Sequence, residues 1–152
     1  METMTRDEQL EQLLKRAKIV ATEAHRGQTR WDKTPHIEHP KAIAEALAKA
    51  DWPLLFQIVA ILHDVVEDNP LFTLDTLAVD FPPEVVAAVD ALTHRKEEPY
   101  LWYILRARKN IIARVVKQYD IEHNLASLDT AKNKQRADKY RAALWILRHE
   151  CK

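Results

Sequence analysis

A single glycine, Gly27, serves a chain of 152 residues, and this scarcity most restricts what the chain can become. Hairpins and strand crossovers draw on glycine for backbone conformations that other residues resist. Rossmann and P-loop sites need glycine-rich phosphate turns, so both are nearly excluded. Leu, Ala, Lys, Arg, Glu and Gln dominate instead, and these are helix formers. The expectation is an all-α fold. The length fits one domain with one full-sized core, and no repeat, low-complexity segment or linker interrupts it. Residues 1–152 are therefore expected to form one bundle of about seven helices.

Charge narrows the partners. Lys and Arg total 23, as do Asp and Glu, leaving a net charge of zero. No global field then favours nucleic acid or a membrane surface, although a local basic pocket stays open. The lone cysteine, Cys151, excludes a disulfide framework or a cysteine zinc site within one chain. The segment from Met1 to Glu8 is polar, without the apolar core of a signal peptide. No apolar run reaches the ~18 residues that span a bilayer. The expected setting is the cytoplasm, with neither membrane nor nucleic acid as partner. Oligomeric state is not legible.

In order along the chain, Thr5 and Glu8 form a capping box. The apolar stripe Leu10, Leu13, Leu14, Ala17, Val20, Ala21 and Ala24 then predicts a helix stopped by Gly27. His25 lies in its last turn, where a structural role is expected. After a polar loop, His39-Pro40 starts a second helix with His39 at or near the N-cap, free to reach another element. Thr73 caps a short helix to about Asp80, and Glu84 to Leu92 form the next. A charged loop with Arg95 and Lys96, weaker candidates for meeting a phosphate, leads to one long helix from about Tyr100 to Leu125. The last helix covers about Lys132 to Arg148. Trp31, in the polar loop, is expected to pack.

The chemistry concentrates at the end of the central apolar run from Pro53 to Leu62. That run is apolar almost all round a helical wheel, as suits a buried helix. His63, Asp64, Glu67 and Asp68 follow at once. Burying a carboxylate costs several kcal/mol unless something offsets it, and a metal ion does so. His63 and Asp64 offer one nitrogen and one oxygen ligand. Glu67 and Asp68 are expected one helical turn on, on the same face, as carboxylates able to move a proton. The alternative for the His-Asp pair alone is a satisfied core hydrogen bond. Asp120 poses the same burial problem on the late helix, where Lys117, Asp120 and Asn124 share a face.

These blocks together resemble the HD-domain metal-dependent phosphohydrolases, and more narrowly the hydrolase domain of the guanosine tetraphosphate (alarmone) enzymes and their small stand-alone relatives. The resemblance rests on residues 24–30, Pro35 to Pro40, Leu62 to Asp68, and Val116 to Leu125, in that order. It implies a divalent metal, usually Mn²⁺, held by His39, His63, Asp64 and Asp120, with Fe²⁺ or Zn²⁺ also suited to such ligands. It places catalysis on Glu67 and Asp68. It puts substrate binding on Arg30 at the guanine side, on Asn124 and Ser127, and on Tyr140 with Arg136 one turn before it. Lys117 is a further phosphate-binding candidate. Four positions depart from the family's usual residues: Trp31 for lysine, His36 for tyrosine, Asn69 for threonine and Ile121 for arginine or lysine.

The expected activity is metal-dependent hydrolysis of a nucleotide, resembling guanosine 3′,5′-bis(diphosphate) 3′-pyrophosphohydrolase, with the metal acidifying a water that attacks phosphorus. The competing readings are a 5′-nucleotidase-like phosphatase of different substrate and a non-catalytic nucleotide-binding regulator. A degenerate binder should lack some metal or proton-handling residue, and none is missing.

Overall fold

The computed structural model describes residues 2–67 and 69–149, so Asp68 and Cys151 lie outside the described residues. Within them run eight helices: α1 (Arg6–Ala24), α2 (Glu38–Lys49), α3 (Leu54–Leu62), α4 (Leu74–Asp80), α5 (Pro83–Leu92), α6 (Tyr100–Arg108), α7 (Ile111–Ser127) and α8 (Lys134–Arg148). Among the described residues no strand forms. One isolated bridge, Thr29 to Pro35, closes the loop after α1.

The helix ends follow their local chemistry. Thr5 accepts from the Glu8 amide while the Glu8 carboxylate accepts from the Thr5 amide, the capping box expected at α1. Thr73 and Thr76 do the same for α4. Gly27 adopts φ 77°, the left-handed region that glycine enters without strain, just beyond the end of α1. The N-cap of α2 is Ile37, not His39. A turn begun by Pro35 and His36 runs directly into the helix, which draws His39 into its first turn.

α3 is the hub. It packs against α1, α2, α5 and α7, and Ile58, Val59, Ala60, Ile61 and Leu62 are fully buried. Each of these Ile, Val and Leu side chains contributes about 1.5–3 kcal/mol through burial. α7 touches α2, α3, α5, α6 and α8 and so joins the main core to a second apolar cluster of Tyr103, Ile104, Ile121, Ala143, Leu144 and Leu147.

Two expectations about helix length are corrected. The central helix does not carry on to Glu67: α3 ends at Leu62 and residues 63–67 form turns. The His63 ring N–H donates to the Ala60 carbonyl at 2.6 Å, taking the acceptor that the next helical amide would use. The single helix expected from Tyr100 is two, α6 and α7, which raises the count from about seven to eight. Asn110 breaks it, its side chain accepting from the Ala113 amide at 3.0 Å as a new N-cap.

Candidate metal centre

α2, the end of α3 and α7 meet where three buried polar side chains converge. His39, His63 and Asp120 are 2%, 1% and 3% exposed, and each offers a ligand atom within 4.8 Å of the others. His39 Nε2 lies 2.7 Å from Asp120 Oδ1, and His63 Nε2 lies 3.5 Å from the same oxygen. Asp64 borders this group rather than sitting inside it, with Oδ2 3.1 Å from His63 Nε2 and 3.2 Å from His36 Nε2. The four residues expected to share an ion thus come together from three distant stretches of chain.

The hydrogen-bond network fixes what the imidazoles offer. His63 Nδ1 donates to the Ala60 carbonyl, so in the neutral ring Nε2 carries the lone pair. That nitrogen is buried and without a hydrogen-bond partner; the nearby carboxylate oxygens lie off the required angle. His39 Nδ1 is 2.7 Å from His123 Nδ1. His39 Nε2 is 2.7 Å from Asp120 Oδ1, which only accepts, so here Nε2 carries the hydrogen and Nδ1 accepts from His123. A cation taking Nε2 would displace that hydrogen, and His123 would then accept from Nδ1. Such outer partners orient metal-bound histidines.

The electrostatics point the same way. Burial lowers the His39 pKa below its ordinary value and keeps the ring neutral, although the Asp120 contact opposes this. At His63 burial also acts downward, but the Asp64 and Asp120 carboxylates outweigh it and the pKa rises well above the usual value. The site therefore attracts positive charge. Asp120 is held well below the carboxylate range: burial acts upward, and Lys117 and the two histidines overcome it. Lys117 Nζ donates to Asp120 Oδ2 at 2.6 Å, is only 12% exposed, and lies 5.1 Å from the Tyr103 ring centroid. This corrects its reading as a phosphate-binding group. Its ammonium is spent within the wall, where it leaves Oδ1 of Asp120 turned to the histidines.

Above this floor stands a looser rim. Asp32 accepts from both the amide and the hydroxyl of Thr34, tightening the loop after α1. Arg30 projects from that loop, and its Nη2 donates to Asn124 Oδ1 at 2.9 Å and Ser127 Oγ at 3.3 Å, one helical turn apart on α7. Asn124 also donates to Asp120 Oδ1 at 3.3 Å, linking rim to floor. Trp31 does not pack as expected. It stays 44% exposed, with the Arg30 guanidinium 4.5 Å from its ring centroid and that of Arg136 at 5.9 Å. Tyr140, on α8 one turn beyond Arg136, is half-buried with its ring 6.4 Å from Tyr100. Glu67 and Asp64 line a cavity with His25, Gln28, Thr29 and His36. Arg95 is engaged by Asp90 at 3.1 Å.

A family model described as HD domain matches residues 17–146 of this sequence. The chain belongs to the HD-domain family. A guanosine-3′,5′-bis(diphosphate) 3′-pyrophosphohydrolase of Haemophilus influenzae is 30% identical over 129 residues, covering 78% of this HD domain chain and 19% of the relative. The bifunctional (p)ppGpp synthase/hydrolase SpoT of Escherichia coli is 33% identical over 145 residues, covering 88% and 20%. The chain thus spans about a fifth of the length of the curated relatives it matches. A solved structure described as a metazoan ortholog of SpoT that hydrolyzes ppGpp superposes with a TM-score of 0.71 at 24% identity, covering 97% of this chain and 86% of that one. This likeness shows the HD-domain fold. Among the described residues of this HD domain no helix is long and apolar enough to cross a membrane.

In this HD domain the buried imidazole and carboxylate cluster suits a divalent metal: two imidazoles, one with an orphaned ring nitrogen, face a carboxylate oxygen inside a field that favours positive charge. Two of its neighbours were missed in the sequence. His123 sits one turn after Asp120 on the same face of α7, a spacing that could have marked it. His36 touches Asp64, a contact across 28 residues that no local pattern announces. Ile121, one of the four departures, proves to be fully buried in the second apolar cluster, so it packs and does not line the substrate wall.

Proposed function

We propose that this HD domain is a metal-dependent phosphohydrolase of the cytoplasm that removes the 3′-pyrophosphate from guanosine 3′,5′-bis(diphosphate) or a close relative. The observation that carries the reading is the orphaned His63 Nε2 beside His39, Asp120 and Asp64, with the Arg30, Asn124 and Ser127 edge directly above. The relatives named for this reaction support the choice of substrate.

His39, His63, Asp64 and Asp120 would hold the cation, with Mn²⁺ the first choice. A divalent ion in such a site supplies an acidified water and offsets phosphate charge. The Ala60 carbonyl holds His63 with Nε2 towards the site, and His123 beside His39 Nδ1 would accept its hydrogen once a cation took Nε2. Lys117 keeps Asp120 ionised and turned inward. Glu67, and Asp68 beyond the described residues, take the proton from the attacking water and return one to the leaving oxygen. Arg30, pinned by Asn124 and Ser127, offers its remaining N–H groups and its planar face to the nucleotide, and Arg136 and Tyr140 close the rim opposite.

A second reading, a nucleotide phosphatase of different substrate, is favoured by the exposed Trp31 between two arginines, where the resemblance leads one to expect lysine. One experiment separates them. Mn²⁺-loaded protein is incubated with a nucleotide panel that includes guanosine 3′-pyrophosphates, and products are resolved by chromatography. Pyrophosphate with the matching guanosine 5′-phosphate is the expected result. Orthophosphate would move the assignment to the phosphatase, and no hydrolysis of any nucleotide would overturn both.

A further inference from the structure

We propose that Trp31 is a positioning residue of the substrate site. It gathers Arg30 and Arg136 on one indole as a clamp for a phosphate group away from the metal centre, such as the 5′-diphosphate of the proposed substrate. The identity of that ligand rests on the proposed nucleotide reaction; the clamp itself does not.

The two arginines come from distant parts of the chain. Arg30 stands in the loop after α1 and Arg136 in the first turn of α8, yet their guanidinium carbons lie 4.5 Å and 5.9 Å from the Trp31 ring centroid. An indole attracts each of them weakly at an exposed site, while two guanidiniums drawn to one ring repel each other. Elsewhere the chain neutralises its arginines: Arg6, Arg16, Arg95 and Arg106 each meet a carboxylate. Among the described residues Arg30 and Arg136 form no such ion pair. Arg30 is held by neutral groups, Asn124 and Ser127, which leaves its charge uncompensated. The carboxylates nearest in sequence are engaged: Asp32 accepts from Thr34, and Asp138 from Arg141.

The surroundings add positive charge. Lys139, one turn after Arg136 on α8, holds its ammonium 4.3 Å from the Tyr100 ring centroid and 5.8 Å from that of Tyr140. Burial lowers its pKa, and the charges of Arg136 and Lys117 lower it further. Unneutralised guanidiniums suit phosphate oxygens, which their planar forks match in shape and charge. Both lie close enough to one ring for a single diphosphate to meet both. Asn124 ties this clamp to the floor, accepting from Arg30 and donating to Asp120. A ligand that reaches floor and clamp together therefore carries an anionic group at each end. The resemblance leads one to expect lysine at position 31. The indole gives up that charge and draws in Arg136 instead, so the arrangement belongs to this chain's own sequence.

Binding tests this without reference to turnover. The full Mn²⁺-loaded chain is titrated calorimetrically with guanosine and with guanosine 5′-diphosphate, and the ratio of the two affinities measures the grip on the 5′-phosphates. The diphosphate is expected to bind more tightly. Trp31→Ala should cut that advantage by about 10-fold with little change for guanosine, and Trp31→Phe, which keeps an aromatic face, should restore most of it. Thermal melting confirms that both variants fold. Equal affinities in the unaltered chain, or no binding of the diphosphate, overturn the proposal. An unchanged ratio in Trp31→Ala overturns it too, placing the phosphates on the metal alone. So does an equal loss for both ligands, or a Trp31→Phe chain no better than Trp31→Ala, either of which makes Trp31 a support for the loop. Loss of the clamp spares the proposed reaction wherever guanosine 3′-pyrophosphates still release pyrophosphate. A ratio that depends on Trp31 without hydrolysis of any nucleotide keeps the clamp and overturns the reaction.

Discussion

The floor and the rim of the site are built by different means. Floor residues come from three helices that are also the core: His39 from α2, His63 from the end of α3, Asp120 from α7, each of them buried. Rim residues come from a loop and from exposed faces of α7 and α8: Arg30, Trp31, Arg136. Floor geometry is fixed by packing the chain needs for folding at all. Rim geometry is fixed by a few hydrogen bonds and ring contacts that can change without cost to the core. On the proposed function, the groups of the reaction would be coupled to stability and those that choose the substrate would not.

The largest effect should come from removing Asp120. Asp120→Ala leaves Lys117 buried and unpaired, which should cost about 3–5 kcal/mol in urea unfolding and abolish bound metal. Unchanged stability would break the link between floor and core. Asp64→Ala should abolish metal and activity together; retained metal with full activity would remove Asp64 from the site. Glu67→Gln should keep the metal but lower turnover by about 10²–10⁴-fold. Turnover near that of the unaltered chain would assign proton transfer elsewhere.

At the rim the expected losses are smaller and of another kind. Arg30→Ala should lower kcat/KM by about 10–100-fold, mainly through KM, with the unfolding midpoint unmoved. A matching loss of stability would show the rim to be part of the core. The smallest effect belongs to a polar pair outside both regions. Arg106 grips Glu98 through Nε and Nη2 at 3.0 and 2.9 Å and lowers its pKa from 4.5 to about 2. A depressed carboxylate stabilises the fold above its unfolded pKa and loses that contribution as pH falls from about 4.5 to about 2. Glu98→Gln should flatten the stability curve in that window and leave metal binding alone.

The floor was the more legible region. A fully apolar helix that ends in His63-Asp64 advertises a buried charge and hence a counter-ion, and Asp120 with Lys117 on one face repeats the signal. The capping box at Thr5 and the stop at Gly27 were written in local chemistry. What escaped was set by contacts across the chain. α3 stops at Leu62 because a histidine ring claims the Ala60 carbonyl, with no glycine or proline to announce it. The break before α7 rests on Asn110 alone, inside a run whose apolar spacing continues. Lys117 resembles an exposed phosphate ligand until burial and Asp120 claim it. Trp31 resembles a packing residue until two arginines are found beside it.

Anomalous diffraction from crystals of the Mn²⁺-loaded chain tests the central claim most directly. A peak within bonding distance of His39 Nε2, His63 Nε2 and the Asp64 and Asp120 carboxylates at once is the predicted result. A Mn²⁺-saturated crystal with no peak between these side chains would contradict it.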